Sequence, residues 1–235
     1  MVEPDLRHNR IAGLILVVLT ATVLEAFPSR AAGPASVPDP SLAPALDPAL
    51  DPALDPKTTA AHGLVTEIID LVIAELSNEE VEQPAKVKAI ELIVFNNFDF
   101  RTISRLVLAR NYKRFSKDQR RDFEEQFKHY LSRFYGSRLV GYADESVEVR
   151  GARLEKRGDV TVTTRVVGGD VDGIEMNYRV RNRNDTWKII DVTIEGVSTV
   201  SNFRSQFREI IRQGGPDQLL NMLRQKASED AAADS

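Results

Sequence analysis

Residues 185–207 read DTWKIIDVTIEGVSTVSNFRSQF. The first half predicts a strand: Ile189, Ile190, Val192, Thr193 and Ile194 form a β-branched run suited to a pleated, half-buried surface. Glu195-Gly196 breaks it, and from Asn202 the apolar residues Phe203, Phe207, Ile210 and Ile211 recur at helical spacing. A sheet hands over to a covering helix within a few residues. The stretch holds no nucleophile, metal cluster or phosphate loop.

Working outward, the residues before it alternate with period two from Ser146. Val147 and Val149 come first, then Val160, Val162, Thr164 and Val166, before Gly168-Gly169 turns the chain. Ile174, Met176, Tyr178 and Val180 face one way, and Glu175, Asn177, Arg179 and Arg181 the other. Asn182 to Asp185 makes a further turn before Trp187. Such a series is an antiparallel meander with one apolar and one wet face.

Helical patterns flank the meander. Gly63 to Leu76 places Leu64, Val65, Ile68, Ile69, Val72 and Ile73 on one wide face. Pro84 starts a second helix and Phe98 to Ala109 forms a third, with Phe100, Ile103, Leu106 and Val107 inward. Ser116 and Gln119 make a capping-box pattern. It opens a helix striped by Phe123, Phe127, Tyr130, Leu131 and Phe134, with Gly136 as its stop. That aromatic stripe is either core or the wall of a cavity. After the sheet, Gly214-Gly215 stops one helix and Pro216 starts another carrying Leu219, Leu220 and Leu223. The order predicts an α+β fold: N-terminal helices, a curled antiparallel sheet of about four strands, and C-terminal helices on one face.

The ends of the chain differ in kind. Arg7 and Arg10 precede the charge-free run Ile11 to Leu24, and Ser29-Arg30-Ala31 offers a small-residue exit. Residues 1–31 therefore predict a secretory signal, with an uncleaved anchor as the alternative. The run falls short of the ~20 residues a spanning helix needs, which favours cleavage. Either way the domain is expected outside the cytoplasm, in the periplasm. Residues 32–62 are rich in Pro, Ala and Asp, with Pro-Ala-Leu-Asp beginning at Pro44, Pro48 and Pro52. Proline at that frequency stops helix and sheet alike, so a disordered tether is expected. The folded domain is expected over 63–226, followed by a frayed tail at 227–235.

Composition narrows the function classes. Among 235 residues there is no cysteine, which excludes disulfides, thiolate metal sites and a cysteine nucleophile. The net charge of -4 resides in Asp39, Asp47, Asp51 and Asp55, leaving the rest neutral. A neutral domain lacks the phosphate-neutralising charge of a nucleic-acid binder. His8, His62 and His129 have no metal or triad spacing. Asp191 and Asp99 are the candidate general bases. The competing reading of Asp191 is a structural partner for an arginine such as Arg204, or a turn cap. No catalytic residue, metal ligand or cofactor is expected, while apolar residues are plentiful. Such a protein either holds something apolar or has a well-filled core.

The 187–207 stretch resembles the C-terminal signature of the MlaC, or toluene-tolerance, family of periplasmic phospholipid carriers. The matching residues are Trp187, Asp191-Val192, Glu195-Gly196-Val197-Ser198 and Asn202-Phe203-Arg204-Ser205-Gln206-Phe207. Asp99-Phe100, the helix from Gln119 to Tyr135, and Gly-Gly-Pro with Leu-Leu-x-x-Leu over 214–223 extend the likeness to about residues 63–226. Two features depart from the family pattern: VLARNYKRFS after Leu106, and the tether. The resemblance implies a non-enzymatic lipid carrier on an NTF2-like, cone-like fold with an apolar pocket between helices and sheet. Its implied partners are phospholipid, an outer-membrane lipoprotein–porin complex, and an inner-membrane ABC transporter with its membrane-anchored lipid-binding subunit. A hopanoid carrier of the same superfamily and a non-catalytic envelope adaptor are the alternatives. The implied acyl-chain wall is Val160, Val162, Met176 and Tyr178 on the strands, with Phe100, Ile103, Phe127, Leu131 and Phe134 opposite. Arg204 and Asn202 are expected to hold the strand–helix junction.

Overall fold

A computed structural model describes residues 55–136 and 145–233. The expected signal, the tether up to residue 54 and the side chain of Phe134 lie outside the described residues. Helix α1 spans Pro56–Ser77. It starts earlier than its apolar periodicity predicts, so residues 56–62, expected in the tether, are helical. The cause is local: Asp55 Oδ1 accepts from Lys57 N at 2.8 Å, and Pro56 fits the first turn, where no amide donor is needed. Ala61 is fully buried, which adds a packing reason. At the other end the buried Lys86 donates from Nζ to Leu76 O at 2.8 Å, placing a cation on the free carbonyls of α1.

Helix α2 spans Gln83–Asn97, with Pro84 in its first turn. Helix α3, Phe100–Leu108, is shorter than predicted because Phe98 is extended and bridges Ile189 of the sheet. Asp99 N donates to Ile189 O at 2.9 Å, while Asp99 Oδ1 accepts from Thr102 N at 2.8 Å. The chain thus leaves the sheet and enters a capped helix at one residue. A 3-10 turn over Ala109–Arg114 leads to α4, Lys117–Gly136. Its capping box is reciprocal: Gln119 N donates to Ser116 Oγ at 3.1 Å, and Ser116 N to Gln119 Oε1 at 2.9 Å.

The sheet has five antiparallel strands in sequence order, one more than expected. They are β1 (Ser146–Leu154), β2 (Val160–Val167), β3 (Glu175–Arg183), β4 (Thr186–Ile194) and the two-residue β5 (Val197–Ser198). β3 and β4 are joined by Asn184-Asp185, and β4 and β5 by Glu195-Gly196; all four residues have positive φ. Two-residue turns of that hand match the twist of the strands they join. Helix α5 spans Thr199–Ala233 and kinks at Gly214-Gly215, where Gly215 takes φ +74°. It begins before Asn202 because the β4–β5 hairpin itself supplies the caps. Ser201 N donates to Ser198 Oγ at 3.1 Å and Val200 N to Asp191 Oδ1 at 3.0 Å.

Two hydrophobic cores result. In one, Ala61, Val65, Ile68 and Ile69 of α1 lie on Ala152, Val160, Val162, Val180 and Ile189 of the sheet. In the other, α3, α4 and both halves of α5 enclose Ile103, Val107, Phe115, Phe123, Phe127, Phe203 and Phe207. Phe98 packs against both.

Asp191 is buried and binds three groups from β3, β5 and α5. Besides Val200 N, its Oδ2 accepts from Arg179 Nη2 at 2.8 Å and Ser198 Oγ at 2.6 Å. Asp191→Ala leaves those donors without an acceptor and is expected to cost about 3 kcal/mol or more. Denaturant unfolding checks this; a loss under about 1 kcal/mol would contradict the assignment.

Candidate functional site

The expected acyl-chain wall divides between the two cores. Val160 and Val162 are fully buried under α1, and Tyr178 packs half-buried against the same cluster. Ile103 and Phe127 belong to the helical core instead, with Leu131 half-buried at its margin. Phe127 sits in a closed aromatic cage, its centroid 5.3 Å from Phe123, 5.2 Å from Phe203 and 5.4 Å from Phe207. Phe100 meets Phe95 edge-on at 5.8 Å and stacks on Phe98 at 6.2 Å. The helical and strand residues therefore do not face one another across a single hollow. Phe123, Phe127 and Tyr130 of α4 are turned toward α5, and α1 covers the sheet directly. Helical periodicity shows that a face is buried, but not against which neighbour.

The layer under α1 has a different chemical character from the helical layer. Its buried members are aliphatic, whereas the helical core is interlocked by phenylalanines and Tyr130. Around the aliphatic core runs a band of half-buried apolar side chains. Val72 and Ile73 come from α1, Ile93 from α2, Val147 and Val149 from β1, and Val192 from β4. The sequence reading did not single these out as a site. Their alternation was visible, but an exposed edge and a buried one look alike in a list of valines.

Tyr178 stands at this band. The polar contact of its hydroxyl is with Met176 Sδ at 3.9 Å, a weak acceptor. Burial pushes its pKa from 10.0 up to about 12. A phenol held in apolar surroundings beside a flexible thioether is a group of low local polarity with one donor to offer.

Both candidate bases are engaged in structural hydrogen bonds. Asp191 is engaged as described, by Arg179 and not by Arg204, and Asp99 caps α3, accepting also from Thr102 Oγ1 at 2.5 Å. Arg204 Nε donates to Leu106 O at 2.9 Å, fastening α5 to α3. Asn202 accepts from Gln206 Nε2 at 3.0 Å on its own helix. Among the described residues no group of His, Asp and Glu is placed to hold a metal ion, and no helix is long and apolar enough to cross a membrane.

Comparison with known proteins bears on this arrangement. The sequence model of the family described as MlaC protein matches residues 66–225. A toluene tolerance protein of Pseudomonas putida is 26% identical over 156 residues, covering 66% of this chain and 73% of the relative. The intermembrane phospholipid transport system binding protein MlaC of Haemophilus influenzae is 22% identical over 129 residues, covering 52% and 59%. In fold, the chain is similar to a phospholipid-binding protein from Ralstonia solanacearum solved in complex with a phospholipid. The TM-score is 0.65 at 21% identity, over 73% of this chain and 98% of that one.

The Tyr178 environment makes a pH prediction. Because the folded value lies above the ordinary 10.0, the stabilisation is complete below pH 10 and lost as pH rises through about 12. Tyr178→Phe should remove that part of the alkaline loss of stability, seen as a shallower fall in melting temperature across this window. In the parent protein, ultraviolet difference titration should show one tyrosine ionising near pH 12; ionisation of all tyrosines near 10.0 would refute the assignment.

Proposed function

The chain belongs to the MlaC family, and from that premise we propose that it is a periplasmic phospholipid carrier. The acyl chains are held at the aliphatic layer between α1 and the sheet. The observation that carries this placement is the contrast between the two cores. Aromatic side chains interlocked edge to face resist displacement, because each ring's contacts depend on its neighbours' orientation. Aliphatic side chains can exchange one hydrocarbon neighbour for another at little cost, and the half-buried band around them provides an apolar margin where a chain can enter. Met176 adds an adaptable surface, and Tyr178 a donor within reach of ester or phosphate oxygens.

The energetics suit such a role. Burying a methylene is worth about 0.8 kcal/mol, so two acyl chains with roughly 30 methylenes would cost on the order of 20 kcal/mol to carry bare through water. An apolar seam removes most of that. Exchange with a bilayer is then nearly balanced, since the lipid leaves one hydrocarbon medium for another. Small differences in affinity at the donor and acceptor set direction. No covalent step is required, in keeping with aspartates engaged in structure. The two exchange partners proposed, in either direction, are the outer-membrane lipoprotein–porin complex and the inner-membrane ABC transporter with its anchored lipid-binding subunit.

The test is extraction of lipid from protein exported and purified in its native state, with mass spectrometry of the organic phase. Phospholipid in near-stoichiometric amount is expected; protein repeatedly free of lipid would overturn the proposal. Two substitutions separate the cores. Met176→Trp should lower the lipid load severalfold with the fold retained. Phe127→Leu should leave the load unchanged while costing roughly 1–2 kcal/mol of stability. The opposite pattern would move the site into the helical core.

A further inference from the structure

A second feature stands apart from the apolar layer: a cleft of about 560 Å³ where α3, the 3-10 turn, the start of α4 and the end of β3 converge. Five cations line it: Arg105, Lys113, Arg120, Arg181 and Arg183. No carboxylate is among its lining residues, and Leu106, Ala109 and Tyr112 supply an apolar part. Ala109, Tyr112 and Lys113 come from the Val107–Ser116 segment, whose sequence departs from the family pattern, and nothing in lipid carriage as described above uses the cleft.

One of the five cations is already paired and the other four are not. Arg181 is oriented by a two-bond fork from Asp159, both distances 2.7 Å. Arg120 donates to Tyr112 O at 2.9 Å, and its guanidinium lies 4.3 Å from the Tyr112 ring centre. Arg105 approaches the same ring at 5.6 Å. Among the described residues no ion pair involves Arg105, Lys113, Arg120 or Arg183. Bringing like charges together around a recess costs self-repulsion, and the recess focuses the resulting field on whatever enters.

We propose that this cleft is a docking site for an acidic segment of a protein partner. Two or more carboxylates pair with the arginine forks while an apolar side chain rests on Tyr112 and Leu106. Three observations favour a protein segment over a membrane surface. The site is concave, so a flat layer of head groups meets its exposed rim and not the recessed Arg181, whose side chain is 28% exposed. Guanidinium forks match carboxylates in pairs, and that of Arg120 is pre-oriented by Tyr112 while its charge stays unpaired. Arginine and tyrosine around an apolar centre is the composition of protein–protein contact sites. The inference does not rest on lipid being the cargo.

The experiment uses the full chain and a capped octapeptide alternating aspartate and leucine, followed by calorimetric titration. Its asparagine–leucine counterpart, inorganic phosphate and phosphatidylglycerol vesicles are the comparison arms. Saturable binding of the acidic peptide is expected, weakening roughly tenfold from low to high salt, with no binding of the asparagine peptide. The double substitution of the exposed Arg105→Glu and Arg183→Glu should weaken it at least tenfold with the melting temperature unchanged. If that pair disturbs folding, Arg105→Gln with Arg183→Gln serves, with a smaller loss in the same direction. Equal binding of both peptides, indifference to the substitutions, or binding of phosphate or vesicles without the acidic peptide would each overturn the proposal. Lipid load measured in the same variants should not change, which separates this site from the carrier reading.

Discussion

The carboxylate of Asp191 is the junction on which the two halves of the molecule depend. It is buried on β4, yet each of its contacts comes from a different element: Arg179 from β3, Ser198 from β5 and the Val200 amide from α5. A buried charge is tolerated only when its lone pairs are met by donors, and here a cation, a hydroxyl and a helix N-terminus meet them together. The positive end of the α5 backbone dipole lies on the same carboxylate. This one group thus fixes how the β4–β5 hairpin turns into the helix, and so on which side of the sheet the helical layer builds up. Asp99 repeats the device on a smaller scale, accepting from the first turn of α3 while its amide is tied to Ile189 of β4.

From that geometry the division of the interior follows. Helices α4 and α5 are bound to each other through phenylalanines, with α3 packed on them, and α1 lies on the aliphatic side of the sheet. Interlocked rings make a stiff body, whereas a single helix seated on valines and isoleucines is held by contacts with little directional demand. A protein assembled in this way has one layer suited to constancy and another suited to exchange. The cationic cleft belongs to the helical layer and to the end of β3, so its charges are presented at fixed positions.

The alternation of valines from Ser146, the Ser116–Gln119 cap and the Gly214-Gly215 break were each legible because they are local. They depend on residues one to four positions apart, and the structure follows them. Elsewhere, reading by apolar periodicity alone fell short. Residues 56–62 are helical although they carry little apolar pattern, because an aspartate cap and a first-turn proline act before periodicity begins. The two-residue β5 was invisible for a similar reason, since so short a strand has no alternation to display.

The sequence by itself determined the class of the fold, the order of its elements and, through residues 187–207, the family. Its wealth of apolar residues left open whether they line a pocket or fill a core. What only the tertiary structure decided is which buried faces meet. Phe123 and Phe127 of α4 face α5 and not the strands, and the arginines at 105, 120, 181 and 183, dispersed along the chain, converge on one recess. The physical reason is that burial and charge are properties of a residue, whereas a neighbour across the core is set by helix placement. That placement is fixed by a few buried hydrogen bonds, such as those of Asp191, whose partners lie too far apart in sequence to form a pattern.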